Sequence, residues 1–318
     1  MSEIDAAFRR ARIHAVRQMS ACEQAELRWS ETSITEIVMA YAAQAATVVP
    51  FTQNAEARSG ADWVWWWIDG DEAYGMLVQA KRVTVSDSQW MFDFGYKVSG
   101  TGRTQHEVLH DAARLLDLLP TYALYLGTGD YRSWQRCSSV HRSGRCLACV
   151  KRSISLMPAL LADGALVRDS VSTYERSVAL EDLTSSAISA APLIPALKRQ
   201  LGPELSEFLT YRQDGTRAVA RGMIDRVLQA RLGQASTLDT SDSARTGEHD
   251  RLGSVFSEFP NDTGHWNQSY FRLMLAPLLR TPPWYALQVM TGNVDPRGIE
   301  SEMPENIAGV IVVNLSKP

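Results

Sequence analysis

The chain has 318 residues, 45% hydrophobic and 21% charged, with a net charge of −4. That composition suits one large globular domain or two small ones, and the acidic balance excludes a general coat for nucleic acid. The apolar runs are too short to span a bilayer. The opening MSEIDAAFRRAR has charge but no apolar stretch, so the sequence reads as cytoplasmic, with no signal peptide and no membrane partner.

Residues 3–28 read as a helix, with Ala7, Phe8, Ala11, Val16 and Met19 at roughly helical spacing. Cys22 in this stretch reads as a small core residue. A second helix starts near Ser33, where Ser33-Ile34-Thr35-Glu36 fits a capping box. Residues 47–51 read as a strand or sheet edge limited by Pro50. Residues 62–68 are rich in β-formers, Asp69-Gly70-Asp71 signals a turn, and 76–85 read as the second strand of a hairpin. Residues 104–118 form an amphipathic helix with Val108, Leu109, Ala112, Leu115 and Leu116 on its apolar side. Pro120 ends it, and 122–126 read as a short strand.

The order helix, strand, hairpin, helix, strand predicts an α/β fold with a mixed sheet flanked by helices. The division that follows is a core over 1–152, including an insertion at 130–152, then a mostly helical region over 153–232. Residues 233–263 read as a polar mobile linker or loop. The C-terminal segment 264–318 carries two strands, 284–291 and 308–315. Their return to the first sheet would make the helical middle an insertion within one domain.

The hairpin carries the sharpest chemistry. Strand alternation puts Gln79 and Lys81 on one face with Leu77 and Val83. With a loop over 69–74 closed symmetrically, Asp62 stands across from Lys81 and Val64 across from Gln79. A carboxylate, an amide oxygen and an ammonium then converge, as phosphodiester hydrolysis requires. Hard oxygen ligands bind Mg²⁺ (or Mn²⁺), the metal activates water and polarises phosphate, and a nearby lysine stabilises charge in the transition state. Trp63, Trp65 and Trp67 share one face and read as core filling. Trp66 shares the other face with Asp62.

The stretches GAD and VQAKR resemble the PD-(D/E)XK nuclease superfamily, in the Mrr-like form where Gln replaces the second acid. Residues 56–67, EARSGADWVWWW, together with QAKR also look like a group of bacterial proteins of unassigned function. The resemblance covers roughly residues 30–126. It implies a restriction-endonuclease-like fold and a metal-dependent endonuclease acting on double-stranded DNA, in a bacterial setting associated with defence against foreign DNA. It also implies the roles of individual residues. Asp62, Gln79 and the Ala80 carbonyl hold the metal, and Lys81 acts on the attacking water. Glu36 on the first helix completes the site, with Glu31 and Glu56 as rival acids. Gln105 and Arg82 fall where such a protein touches DNA. A catalytically inactive DNA-binding or interaction module on the same fold is the competing reading, because Gln79 brings no charge to the metal.

Cys137, His141, Cys146 and Cys149 supply three thiolates and an imidazole within 13 residues, a ligand set for structural zinc. From Tyr131 to Arg152 the chain carries Arg132, Arg136, Arg142, Arg145, Lys151 and Arg152 and no acid. Ordered by zinc, these six would form a DNA clamp. His106, His110 and His265 read as isolated. There is no phosphate-binding P-loop and no dinucleotide fingerprint. Cutting both strands requires two sites, so a homodimer is expected, and an activating ligand or partner is left open.

Overall fold

The computed structural model describes residues 2–51, 62–86, 89–98, 102–126, 147–162, 176–185, 193, 195–232, 253–264, 266, 268–304 and 307–316. Among them the chain folds as a mixed α/β structure, an eight-stranded mixed sheet flanked by helices. No helix among the described residues is long and apolar enough to cross a membrane.

Helix α1 spans Glu3–Gln24 and buries Ala7, Phe8, Ala11, Ala15 and Met19. Cys22 is half-buried against the core rather than inside it. Helix α2 spans Glu31–Ala42 and starts ahead of the expected position. Its N-cap is Ser30, whose Oγ accepts from Ser33 N at 3.0 Å, and Ser33 is the reciprocal partner in the box. The serine pair outcompetes the predicted Ser33–Glu36 box, because a hydroxyl three residues on satisfies the same orphan N–H. Glu31 becomes the first helical residue, and Glu36 is left exposed in the second turn.

Strand β1 is Thr47–Pro50, β2 is Asp62–Asp69 and β3 is Glu72–Arg82. The hairpin turn is only Gly70-Asp71, with Gly70 at φ +58°, which a glycine adopts without a Cβ penalty. The tighter turn moves the register. Val64 stands across from Leu77, and Trp63 from Val78, so position 62 continues toward Gln79 rather than Lys81. This shift of two residues preserves the faces, because side chains alternate with period two.

Strands β4 (Thr84–Ser86) and β5 (Gln89–Met91) form a small separate ribbon. Helix α3 (Gln105–Leu115) is capped by Thr104 and buries Leu109, Ala112 and Ala113. Leu115, placed on its apolar side from sequence, is 75% exposed. Strand β6 (Leu119–Tyr125) takes in Pro120 and runs parallel to β3.

Among its described residues the middle of the chain holds strands beside the expected helices. After α4 (Leu147–Lys151), strands β7 (Ile154–Pro158) and β8 (Val178–Ala179) extend the sheet beyond β6. Both are buried throughout, so they lack the polar–apolar alternation that identifies a strand. Helices α5 (Pro203–Thr210) and α6 (Gly215–Leu232) follow. The expected linker is packed where described: Val255 and Phe256 are buried, and Asp262 is 3% exposed.

Helix α7 (Tyr270–Leu275) leads into β9 (Leu278–Leu279), which pairs with the start of β3. Residues Trp284–Thr291 are helix α8, not a strand, with Tyr285, Ala286 and Val289 buried at helical spacing. Helix α9 (Pro296–Glu302) precedes β10 (Ile307–Asn314). Strand β10 lies between β1 and β2 and runs parallel to β2, giving the order β1-β10-β2-β3-β6-β7-β8. This last described strand thus rejoins the first sheet, next to its edge strand β1.

One sheet face is covered by α1, where Phe8 stacks on Trp65 with centroids 5.9 Å apart. On the other, Trp66 is 1% exposed and donates to the Tyr285 hydroxyl of α8 at 3.0 Å. A Cβ at Gly75 would meet Leu118 at 2.4 Å and the Trp66 ring at 2.6 Å, so this close packing requires glycine.

Candidate active site at the end of strand β3

The paired register of β2 and β3 ends at Trp63↔Val78. Strand β3 continues to Arg82, supported on its far side by β6. The chain direction brings the first turn of α2 to the edge so freed. Glu31 Oε1 accepts from Arg82 N at 2.8 Å. The Arg82 guanidinium donates to Trp29 O at 2.8 Å and lies 6.0 Å from the Trp29 ring centroid. Arg82, expected on the DNA, is here a tie between β3 and the approach to α2.

Gln79 and Lys81 share a face, as expected, and both are buried, at 3% and 5% exposure. Lys81 Nζ donates to Gln105 Oε1 at the start of α3. Gln105 therefore holds the lysine. Burying an ammonium is costly without hydrogen bonds and countercharge. Gln105 supplies the first, and Glu31 is placed to supply the second.

Burial raises the Glu31 carboxyl above the ordinary glutamate range. The Arg82 N–H and the charges of Lys81 and Arg82 pull it back, while Asp93 pushes it up further. The helix acid at this site is Glu31, one of the rivals to Glu36; Glu36 is exposed and away from these contacts. Reading the capping box at Ser33 hid the helix start that puts Glu31 here. Asp93 was missed altogether. Its sequence signal is the stretch Phe92-Asp93-Phe94, in which the two phenylalanines are buried and Asp93 is exposed between them.

The neighbours are ordered. The Tyr125 hydroxyl lies 2.8 Å from Thr35 Oγ1 of α2, and burial raises the phenol strongly. Tyr122, which pairs in register with Gln79, lies 2.8 Å from His106 Nδ1. His106 and His110 are not isolated, since their ring centroids are 4.4 Å apart on α3.

Asp62 begins β2 beside Ile307 of β10; its side chain lies outside what is described. Glu56, Cys137, His141, Cys146, Arg132, Arg136, Arg142, Arg145 and His265 also lie outside the described residues. Cys149 is buried on α4. Lys151 forms an ion pair with Asp182 at 2.6 Å, and Arg152 is half-buried just before β7. Ala80 is half-buried in β3. Among the described residues no three His, Cys, Asp or Glu side chains gather as a metal group. The donor set at the end of β3 is of another kind, one carboxylate with amide oxygens, and it fits a hard divalent cation better than a soft one.

The chain belongs to a family of unknown function, DUF6615, whose model matches residues 4–314. No curated protein and no solved structure matches it.

Proposed function

We propose that this family member is a metal-dependent nuclease that hydrolyses phosphodiester bonds of double-stranded DNA, on a restriction-endonuclease-like core made of α2, β2, β3, α3 and β6. The observation that carries the reading is the buried Lys81 beside Gln79, held by Gln105 and facing the Glu31 charge at a strand end that β2 leaves open.

Glu31, Gln79 and Asp62 are the residues that would hold Mg²⁺ or Mn²⁺, with the Ala80 carbonyl between them on β3. A cation bound there would supply polarisation of the scissile phosphate and a more acidic water. Lys81 orients the attacking water and stabilises charge growing on the phosphoryl oxygens. Gln105 fixes the lysine, so little reorganisation is needed as that charge develops. Arg82 and Trp29 anchor the turn that presents Glu31. Two copies cutting opposite strands would act as a homodimer, and the proposed role is defence against foreign DNA. Structural zinc on Cys137, His141, Cys146 and Cys149 is a separate proposal, tested by the metal content of Cys149→Ser protein, where an unchanged content rejects it.

The test is cleavage of plasmid, linear DNA and RNA with Mg²⁺, Mn²⁺ or chelator, comparing the natural protein with Lys81→Ala and Asp62→Asn. Each substitution is expected to slow cutting by roughly 100-fold or more. Cutting that survives both removes the site assignment. Metal-independent DNA binding without cutting on any substrate favours the non-catalytic module.

A further inference from the structure

Gln105 and His106 are the first two residues of α3, and each is bonded to a different strand. Gln105 Oε1 accepts from Lys81 Nζ of β3, and His106 Nδ1 lies 2.8 Å from the Tyr122 hydroxyl of β6. The two strands are parallel neighbours, and Tyr122 stands in register with Gln79. Register partners share a sheet face, so the Tyr122 side chain rises on the face that carries Gln79 and Lys81. The first turn of α3 therefore grips that face at two points. The catalytic reading uses the bond to Lys81 and gives the bond to Tyr122 no part.

The second grip is built from fixed pieces. Tyr122 is fully buried, and a buried phenol hydroxyl needs a partner, which His106 supplies. Phe94 lies against the Tyr122 ring, with centroids 4.7 Å apart, and His110 lies 4.4 Å behind the His106 ring. The backbone of the turn is set by Thr104 Oγ1, which accepts from Glu107 N at 3.2 Å, and by Gln105 N, which donates to Tyr96 O at 2.8 Å. Those contacts shape the turn, and the bond from His106 to Tyr122 ties it to the sheet. Lys81 and Gln105 are both long, rotamer-rich side chains, so their bond lasts only while the turn stays over β3.

We propose that His106 and Tyr122 are positioning residues for Lys81. Their bond seats the first turn of α3 on the sheet, and Gln105 passes that placement to the ammonium. The hold on Lys81 stands by itself; its value for cutting rests on the nuclease reading.

The Lys81 ammonium reports the hold directly, in NMR spectra of the full chain carrying isotope-labelled lysine, with its signal assigned by Lys81→Arg. A buried, bonded ammonium exchanges its protons slowly and gives a protected signal. That signal is expected in the natural protein and is expected to be lost in Gln105→Ala, Tyr122→Phe and His106→Ala. His106→Asn, whose amide can take the place of Nδ1, is expected to restore it. Tyr125→Phe, which removes a hydroxyl bond from the same strand to α2, is expected to keep it. An unprotected Lys81 in the natural protein, protection unchanged in Tyr122→Phe and His106→Ala, or equal loss in Tyr125→Phe overturns the positioning role. In plasmid cutting, Tyr122→Phe is expected to lower kcat by about ten-fold at unchanged KM. Protection lost with kcat unchanged overturns the part this hold plays in cutting. If the protection pattern appears in a protein that cuts no nucleic acid, the nuclease reading fails and the hold on Lys81 stands.

Discussion

Two groups of buried polar side chains in this protein follow opposite rules. Around Asp262, Arg231 is 4% and Asp262 3% exposed. The carboxylate accepts from Arg231 Nε at 3.2 Å, the Tyr270 hydroxyl at 2.8 Å and Gly264 N at 2.9 Å. One cation meets one anion, and the remaining lone pairs are used, which is how a buried charge pair becomes tolerable. At the end of β3, Lys81 and Arg82 share the neighbourhood with Glu31, whose carboxyl burial raises, and Asp93 adds like charge. The first group fastens residues 253–264 to α6. The second holds a carboxyl whose burial is only partly offset by its neighbours, the pattern expected where chemistry rather than stability is selected.

The contrast can be broken from its structural side first. Asp262→Ala leaves Arg231 buried without its anion and is expected to cost about 3–5 kcal/mol in denaturant unfolding. A cost below about 1 kcal/mol would place that group with ordinary surface pairs. Next comes Gly75→Ala, whose new Cβ collides with Leu118 and the buried Trp66 ring. Overpacking here is expected to cost about 1–3 kcal/mol in the same measurement, and a neutral result would mean that Trp66 is free to shift. Tyr125→Phe removes the bond to Thr35 and is expected to cost about 1 kcal/mol, since α2 stays anchored by Glu31 and Arg82.

The smallest effect has a distinctive sign. Because burial raises Glu31 above its unfolded value, folding favours the protonated form. The associated stability is complete below the ordinary glutamate range and is lost as pH rises through the raised value. Glu31→Gln removes this slope. Its melting midpoint should exceed that of the natural protein near neutral pH, and the difference should vanish in acid. A neutral-pH loss of stability in Glu31→Gln would show that the carboxylate is structural, as Asp262 is.

Much of the frame was legible because it obeys simple periodicities. The period of 3.6 marked α1 and α3, the period of two marked the hairpin, and the face shared by Gln79 and Lys81 survived a register error of two residues. What stayed hidden has physical reasons. Strands β7 and β8 are buried on every residue and show no alternation. Trp284–Thr291 is rich in aromatic and β-branched residues, yet tertiary packing of Tyr285 against Trp66 makes it helical. The helix start was misplaced because Ser30 and Ser33 form a cap that looks no stronger in sequence than Ser33 with Glu36. Asp93 depends on a long-range approach that local pattern does not encode.

The central claim is that Glu31, not Glu36, works with Lys81 on a phosphodiester. Plasmid cutting in Mg²⁺ or Mn²⁺ by Glu31→Gln and Glu36→Gln, each checked for an unchanged fold, tests it most directly. Glu31→Gln is expected to lose cutting by roughly 100-fold or more, as removal of a group acting on the transition state does, with Glu36→Gln close to the natural protein. Full cutting by Glu31→Gln, or its loss in Glu36→Gln alone, would contradict the site described here.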